Sequence, residues 1–267
     1  TLFYGLYERT DSFFEGGEME AEGKPSPGEL ALLEPLADQL PEGVLDEPAY
    51  SPPKTDGSGR NRRNLRRAAQ LLDEAGWTVR DGLRRNAEGE TLSVEFLSDS
   101  PSFERITVPY TKNLRKIGID ATTRRVDAAQ YKRRVDDYDF DIVVDRKNMS
   151  LTPGVELRDY FHSDSAQSPG SENLAGVANP AVDALIEQVK RAESREALID
   201  AVRALDRVLR AMHIWVPQWH KGTHTLAYWD IYGHPAEDRK PPYARGVIDR
   251  WWVDPEKYAK LKDRIGG

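Results

Sequence analysis

Apolar positions follow no fixed period in the first sixty residues. From Asn64 onward they do. The run RRNLRRAAQLLDEAG places Leu65, Ala68, Ala69, Leu72 and Ala75 at helical spacing and stops on Gly76, a residue suited to a helix C-cap. TLSVEFLS alternates Leu92, Val94 and Phe96, the period of a half-buried strand. PSFERITVPYTKNLRKIG predicts a helix with Phe103, Ile106, Tyr110, Leu114 and Ile117 on one face, ended by Gly118 and kinked at Pro109. IDATTRRV predicts a Thr-rich strand, and DAAQYKRRVDDY a helix capped by Asp127. FDIVVD predicts a short buried strand. The order α-β-α-β-α-β implies right-handed crossovers and a largely parallel sheet, placing the chain in the α/β class.

Beyond RKNMSLTPG, a short helix is expected in VELRDYFHS and a polar loop from Asp164 to Ala178. NPAVDALIEQVKRA predicts a helix capped by Asn179, with Pro180 at its first position. SREALIDAVRALDRVLRAMH predicts another, capped by Ser194, with a stripe of Leu198, Ala201, Val202, Leu205, Val208, Leu209 and Met212. WVPQWHKGTHTLAYWD reads as a hairpin turning at Lys221-Gly222. Residues 15–61 are rich in Gly, Pro and Glu, with one apolar helix candidate from Pro27 to Leu40. They are expected as an extended arm pinned by its aromatics. The tail from His234 carries four prolines and Trp251-Trp252 and reads as a second arm. The expected organisation is an N-terminal arm over 1–61, an α/β lobe over 62–233 and a C-terminal arm over 234–267.

Composition narrows the function classes. The net charge of −7 argues against nucleic acid as partner. The chain has no cysteine, which excludes disulfides, thiolate chemistry and Cys-bound zinc. No apolar run reaches the ~18 residues of a membrane-spanning helix, so the chain is not expected to span a membrane. It opens on Thr1 and runs directly into LFYGLYERTDSFF, as expected of a piece of a longer chain.

Catalytic and metal motifs are weak. His220 and His224 are four apart, but on a strand that spacing is ~13 Å. That is too far for two metal–nitrogen bonds of ~2 Å. DGSGR around Ser58 lacks the G-x-S-x-G spacing. IVVD has the look of a Walker B strand without any phosphate loop in the chain. Asp139, Asp141 and Asp145 alternate along one strand, and Asp145, at its carboxyl end, is placed to reach a ligand crevice. The basic runs RNRRNLRR and TTRRVDAAQYKRR read as solvated faces. What remains is aromatic surface: Trp215, Trp219, Tyr228 and Trp229, expected on strands, either as core or as a ligand wall.

The order of motifs AAQLLDEAGW, LSVEFL, NLRKIGIDATTRRVDAAQYKRRVDDYDFDIVV, NLAGVANPAVDALIEQV and VPQWHKGTHTLAYWD resembles the second lobe of family 5 solute-binding proteins. These are the oligopeptide and dipeptide receptors of bacterial ABC importers. FYGLYERTDSFF, SLTPGVELRDYF and AYWD resemble the branch that also serves microcin C-type peptide uptake. The resemblance implies a periplasmic-binding-protein type II lobe, with a central, mixed but largely parallel sheet flanked by helices. It implies an oligopeptide ligand, ABC permease subunits as partners, a periplasmic or extracytoplasmic location, and neither cofactor nor catalysis. The arms would then come from the crossing between lobes and return to the first lobe. In many relatives the loop after the DFD strand carries an Asp that grips the peptide amino terminus; here Met149 stands at that position. The ligand-binding candidates are Asp145, Arg146, Lys147, Asn148, Ser150, Asn173, Trp219 and His220. A non-peptide solute such as a sugar or metal chelate is the alternative ligand; a hydrolase or a pure interaction module are the alternative functions.

Overall fold

The structure, a computed structural model, describes residues 3–223, 225–235 and 248–265. Contacts divide these into two units, one of residues 11–217 and one of residues 3–10 with 218–235 and 248–265.

The larger unit is organised around helix α7 (Arg195–Ala211). Its predicted stripe is the centre of the core: Leu198, Ala201, Val202, Leu205, Val208 and Leu209 are buried. Ser194 Oγ accepts the Ala197 N–H at 3.1 Å, as the cap reading requires. Helix α6 (Pro180–Arg191) adds Val182, Leu185, Ile186 and Val189, with Asn179 Oδ1 accepting the Ala181 and Val182 N–H groups. Helix α5 (Leu157–Phe161) adds Leu157 and Phe161. Phe13, Phe14, Met19, Leu33 and Val44 come from the N-terminal arm. Each such side chain contributes about 1.5–3 kcal/mol when fully buried.

α7 is also buried on its polar side. Asp206, Arg207 and Arg210 are 0%, 1% and 2% exposed. The Asp206 carboxylate accepts Ser12 Oγ–H at 2.9 Å, the Phe13 N–H at 3.0 Å, the Ala21 N–H at 3.1 Å and Arg210 at 3.1 Å. Arg207 meets Glu29 of α1 (Pro27–Leu33) at 2.7 Å and donates to the Gly23 carbonyl at 2.9 Å. Arg210 donates to the carbonyls of Ala21 at 2.9 Å and Tyr50 at 2.7 Å. Hydrogen bonds to buried charges therefore fix the arm, together with Phe13 and Phe14 in the core. Tyr50, expected to pin the arm, stays partly exposed against the His213 ring. Gly28 lets α1 approach α7 closely: a Cβ there would stand 2.0 Å from Asp200 Oδ2, and the Asp200 carboxylate would have to move. Among the described residues no buried side-chain nitrogen or oxygen lacks a partner.

The sheet portion is small. β4 (Ser93–Ser98) and β5 (Asp120–Arg125) pair in parallel from Ser93↔Asp120 to Ser98↔Arg125, joined by α3 (Pro101–Lys116). α3 runs on through Pro109, and its Thr111 hydroxyl donates to the Val108 carbonyl at 3.0 Å. Its buried positions are Thr107 and Thr111; Ile106 and Tyr110, the predicted face, are half-buried. FDIVVD is not a full strand but a single parallel bridge, Phe96↔Ile142. Asp141 Oδ2 takes the Glu95 N–H at 2.8 Å, so a side chain replaces the ladder on that side. Asp139, Asp141 and Asp145 are all exposed.

Helices α2 (Arg62–Glu74), α3 and α4 (Ala128–Asp136) end in the same paired bonds after a left-handed residue. In α2, Trp77 N–H reaches the Leu72 carbonyl at 2.9 Å past Gly76, whose φ is +86°. In α4 the left-handed position is Tyr138, with φ +55°. That strain is offset by its hydroxyl, 2.8 Å from Ser171 Oγ and 3.2 Å from the Ser165 carbonyl. A hairpin that the periodicity did not predict, β2 (Thr78–Arg80) with β3 (Leu83–Arg85), turns at Asp81-Gly82. Both residues have positive φ, the geometry an Asp-Gly pair favours.

In the smaller unit β1 (Glu8–Arg9) pairs antiparallel with β6 (Trp219–His220). The predicted hairpin at Lys221-Gly222 is thus corrected: β6 takes its partner from the start of the chain. Of the four aromatics expected on strands, Trp219 alone is on one; Trp215 instead stacks on Phe13 in the larger unit, with centroids 3.9 Å apart. The tail holds β8 (Trp252–Val253), paired with β7 (Tyr232–Gly233), and α8 (Pro255–Ile265). His224 lies outside the described residues.

Two outcomes follow for stability. Arg207→Ala leaves Glu29 buried and unpaired and is expected to cost about 3–5 kcal/mol by urea unfolding. Arg207→Met with Glu29→Leu removes both charges and should cost clearly less. Burial, then the charges of Glu15, Asp11 and Asp206, pushes the Glu20 carboxyl above its ordinary value of 4.5. The folded state therefore holds that proton more tightly. The stability this supplies is full below pH 4.5 and is lost as pH rises through the folded value. Glu20→Gln should raise the unfolding free energy at pH 7 by about a few tenths of a kcal/mol given partial exposure, and the two proteins should converge below pH 4.5.

Candidate functional site

Parallel strands send their carboxyl ends the same way, and ligands of open α/β sheets bind beyond those ends. Here that end is supplied by Asp99 after β4, Phe103 in the first turn of α3, Tyr131 early in α4, and the segment 145–150 beyond the Ile142 bridge. α4 is set by its cap, with Asp127 Oδ1 accepting the Gln130 N–H at 2.9 Å.

Asp145 is the charge these groups share. Its Oδ2 lies 2.8 Å from Lys147 Nζ, and its Oδ1 accepts the Arg146 N–H at 2.7 Å. Lys147 is held on three sides. Its Nζ donates to the Glu172 carbonyl at 2.6 Å and sits 4.8 Å from the Tyr160 ring centroid. Only 13% of its side chain is exposed. Burial raises the Tyr131 hydroxyl above its usual value, with Asp99 and Asp145 adding to the shift. Burial likewise raises Tyr160, followed by Glu172, Glu156, Asp159 and Asp145. Both phenols therefore stay protonated donors at neutral pH. Arg146 is exposed, its guanidinium carbon 5.8 Å from the Phe103 centroid. It has no ion pair among the described residues.

Asn148 is exposed, with no side-chain hydrogen bond among the described residues, and Ser150 Oγ accepts the Thr152 N–H at 2.9 Å. Met149 packs against the core. Asp145, Arg146, Lys147, Asn148 and Ser150 thus fall in one segment. Trp219 and His220 belong to the smaller unit, where Trp219 packs on Phe3 at 4.5 Å and His220 Nδ1 lies 3.2 Å from Thr10 Oγ1. In the sequence Phe103, Tyr131 and Tyr160 read as helix residues only; Phe103 and Tyr131 stand early in the helices that follow β4 and β5, and Tyr160 reaches the site through Lys147.

Asn173 is turned into the fold. It is fully buried. Its Nδ2 donates to the carbonyls of His162 at 3.1 Å and Val177 at 2.9 Å, and its Oδ1 accepts the Val177 N–H at 2.8 Å. This amide locks the polar loop, with both Nδ2 hydrogens donated inside the fold. Among the described residues one acidic group has metal-like spacing, Asp11, Glu15 and Glu20. Two of its carboxylates are spent on backbone N–H groups of their own loop. Asn173→Ala should lower unfolding free energy by about 1–3 kcal/mol through the orphaned loop carbonyls and the Val177 N–H, while leaving ligand affinity within about twofold. Calorimetry and titration on the same variant separate the two effects.

Residues 1–169 match the family described as bacterial extracellular solute-binding proteins, family 5 Middle. A probable peptide-binding protein, YejA, of Agrobacterium fabrum is 43% identical over 253 residues, covering 94% of this chain and 41% of the relative. The chain therefore spans about two fifths of the length of the curated relatives it matches. Among solved structures, the oligopeptide-binding protein AppA of Bacillus subtilis, in complex with a nonapeptide, is similar over 85% of this chain and 45% of its own. Its TM-score is 0.52 at 20% identity. A mannohexaose-bound periplasmic oligopeptide-binding protein of Thermotoga maritima gives 0.52 at 19% identity, over 88% of this chain and 46% of its own. These two likenesses are of fold. With the family match covering well over half of the chain, it belongs to family 5 of the bacterial extracellular solute-binding proteins.

Proposed function

We propose that this chain is the ligand-gripping lobe of an extracytoplasmic receptor that captures oligopeptides and delivers them to an ABC permease. One observation carries the reading: an unpaired Arg146 beside a fixed Asp145–Lys147 pair, walled by Phe103, Tyr131 and Tyr160, at the carboxyl ends of parallel strands. That set matches what a peptide offers. Arg146 suits a carboxylate, Asn148 and Ser150 suit backbone amides, and the rings suit apolar side chains. Trp219 and His220 are kept as candidate contacts in the smaller unit. The family is one of binding proteins, and a receptor needs complementarity and closure rather than a nucleophile. A type II solute-binding lobe of the oligopeptide-receptor kind is consistent with the observed α/β order. No helix among the described residues is long and apolar enough to cross a membrane.

A non-peptide solute is the second reading. Met149 leaves the loop without a carboxylate at that position, and the Thermotoga maritima relative was crystallised with a hexasaccharide. Native mass spectrometry of the full-length receptor, purified without denaturation, decides. A ladder of co-purified peptide masses is the expected result; a single non-peptide mass would remove the peptide reading. In that receptor Arg146→Ala should weaken binding of a co-purified peptide by about 5–20-fold with the thermal midpoint of the unliganded protein unchanged.

A further inference from the structure

Helix α2 is built against its own dipole. The amino terminus of a helix carries partial positive charge and favours acids in the first turn. α2 instead begins with Arg62 and Arg63, continues with Arg66 and Arg67, and has no acid in its first turn. Asn61 makes no side-chain cap bond. The two acids stand at the wrong end and are occupied: Asp73 lies 2.5 Å from the buried Arg84, and Glu74 lies 3.0 Å from Arg67. Asp56, in the preceding loop, holds the Ser58 N–H at 3.0 Å and the Ser58 hydroxyl at 2.6 Å. Arg62, Arg63 and Arg66 are exposed, with neither ion pair nor side-chain hydrogen bond among the described residues. At helical spacing these arginines form one stripe along the edge of the face that carries Leu65, Ala68, Ala69 and Leu72.

The stripe is part of a wider charge separation. Residues 60–134 hold 17 Lys and Arg against 10 Asp and Glu, while the whole chain holds 38 against 45. Beside the stripe runs an open groove of about 620 Å³, floored by Leu65, Ala69, Val79 and Ile117 and rimmed by Arg62, Arg66, Arg115 and Lys116. Val79 is 53% exposed, and none of the α2 apolar residues is fully buried. Local rules broken without compensation inside the fold point to a requirement outside it.

We infer that this face docks on an anionic phospholipid surface. A stereospecific anion site fixes its guanidiniums with hydrogen bonds of their own. Arg62, Arg63 and Arg66 have none, which suits a fluid partner of high charge density and no fixed geometry. Exposed apolar side chains beside the cations suit the headgroup boundary. Screening confines the attraction to the near face, about 10 Å deep at 0.1 M salt, so the acidic remainder of the chain does not cancel it. The inference is independent of which solute is bound.

The test is co-sedimentation of the chain with vesicles of equimolar phosphatidylglycerol and phosphatidylcholine, against phosphatidylcholine alone, at about 0.1 M salt. The expected result is at least about 10-fold more protein on the anionic vesicles, released at high salt. Arg62→Gln with Arg63→Gln and Arg66→Gln should abolish binding with an unchanged or raised thermal midpoint, since the dipole conflict is relieved. Lys24→Gln with Arg191→Gln, two exposed cations elsewhere, should retain it. Equal sedimentation with both vesicle types would overturn the inference. So would an equal loss in the control variant, or binding to poly-glutamate without binding to the anionic vesicles.

Discussion

Three charged side chains on one helix hold the larger unit together. Asp206, Arg207 and Arg210 project from α7 into an arm that has little regular structure of its own. An arm rich in Gly, Pro and Glu cannot offset its ordering entropy with apolar burial alone. It offers backbone N–H and carbonyl groups instead, and α7 meets them with charges at the Phe13, Ala21, Gly23 and Tyr50 positions. Burial pushes the Asp206 carboxyl upward, while Arg210, the Ala21 N–H and the Ser12 hydroxyl pull it back. A buried charge network of this kind is costly when incomplete and specific when complete. Here it is complete, since no buried side-chain polar atom among the described residues is left over.

That arrangement leaves the site free to be something other than core. α6, α7 and the arm supply the apolar burial, so the βαβ portion does not need to bury its strand ends. Around Ile142 the chain keeps three exposed carboxylates, Asp139, Asp141 and Asp145, and an exposed Arg146, and Asp145 and Lys147 fix one another beside Tyr160. The result is a rigid pair next to an uncommitted cation, all within a few residues. Such a layout positions polar groups without exhausting them, which a binding lobe requires and Asn173, with both Nδ2 hydrogens donated inside the fold, does not provide.

Where one side chain's own chemistry decided the structure, the sequence was readable. Helical periodicity located α2, α3, α4, α6 and α7, and Asp127, Asn179 and Ser194 cap as their positions imply. Partner choice was not readable. The pairing of β6 with β1 joins residues about two hundred positions apart, and no local pattern encodes that. FDIVVD looked like a strand because its apolar run is real; Asp141 taking the Glu95 N–H is a tertiary event. The Asp81-Gly82 turn is legible from its residue pair alone, since β2 and β3 are too short to show a period. At the site, the end of a strand pattern points to Asp145, and the family resemblance adds Arg146, Lys147, Asn148 and Ser150, whereas Phe103, Tyr131 and Tyr160 join them only through the fold. Asn173 is a candidate through the family resemblance alone, and a polar amide gives no local sign of which carbonyls it will meet.

The central claim is that solute is gripped where the parallel strands end. Hydrogen exchange of the full-length receptor, with and without its co-purified solute, tests it most directly. The account predicts added protection in residues 99–103, 128–131 and 143–150, and none in the arm around residues 12–51, which α7 already holds. Protection confined to the arm or to α6, with the strand-end segments unchanged, would contradict it.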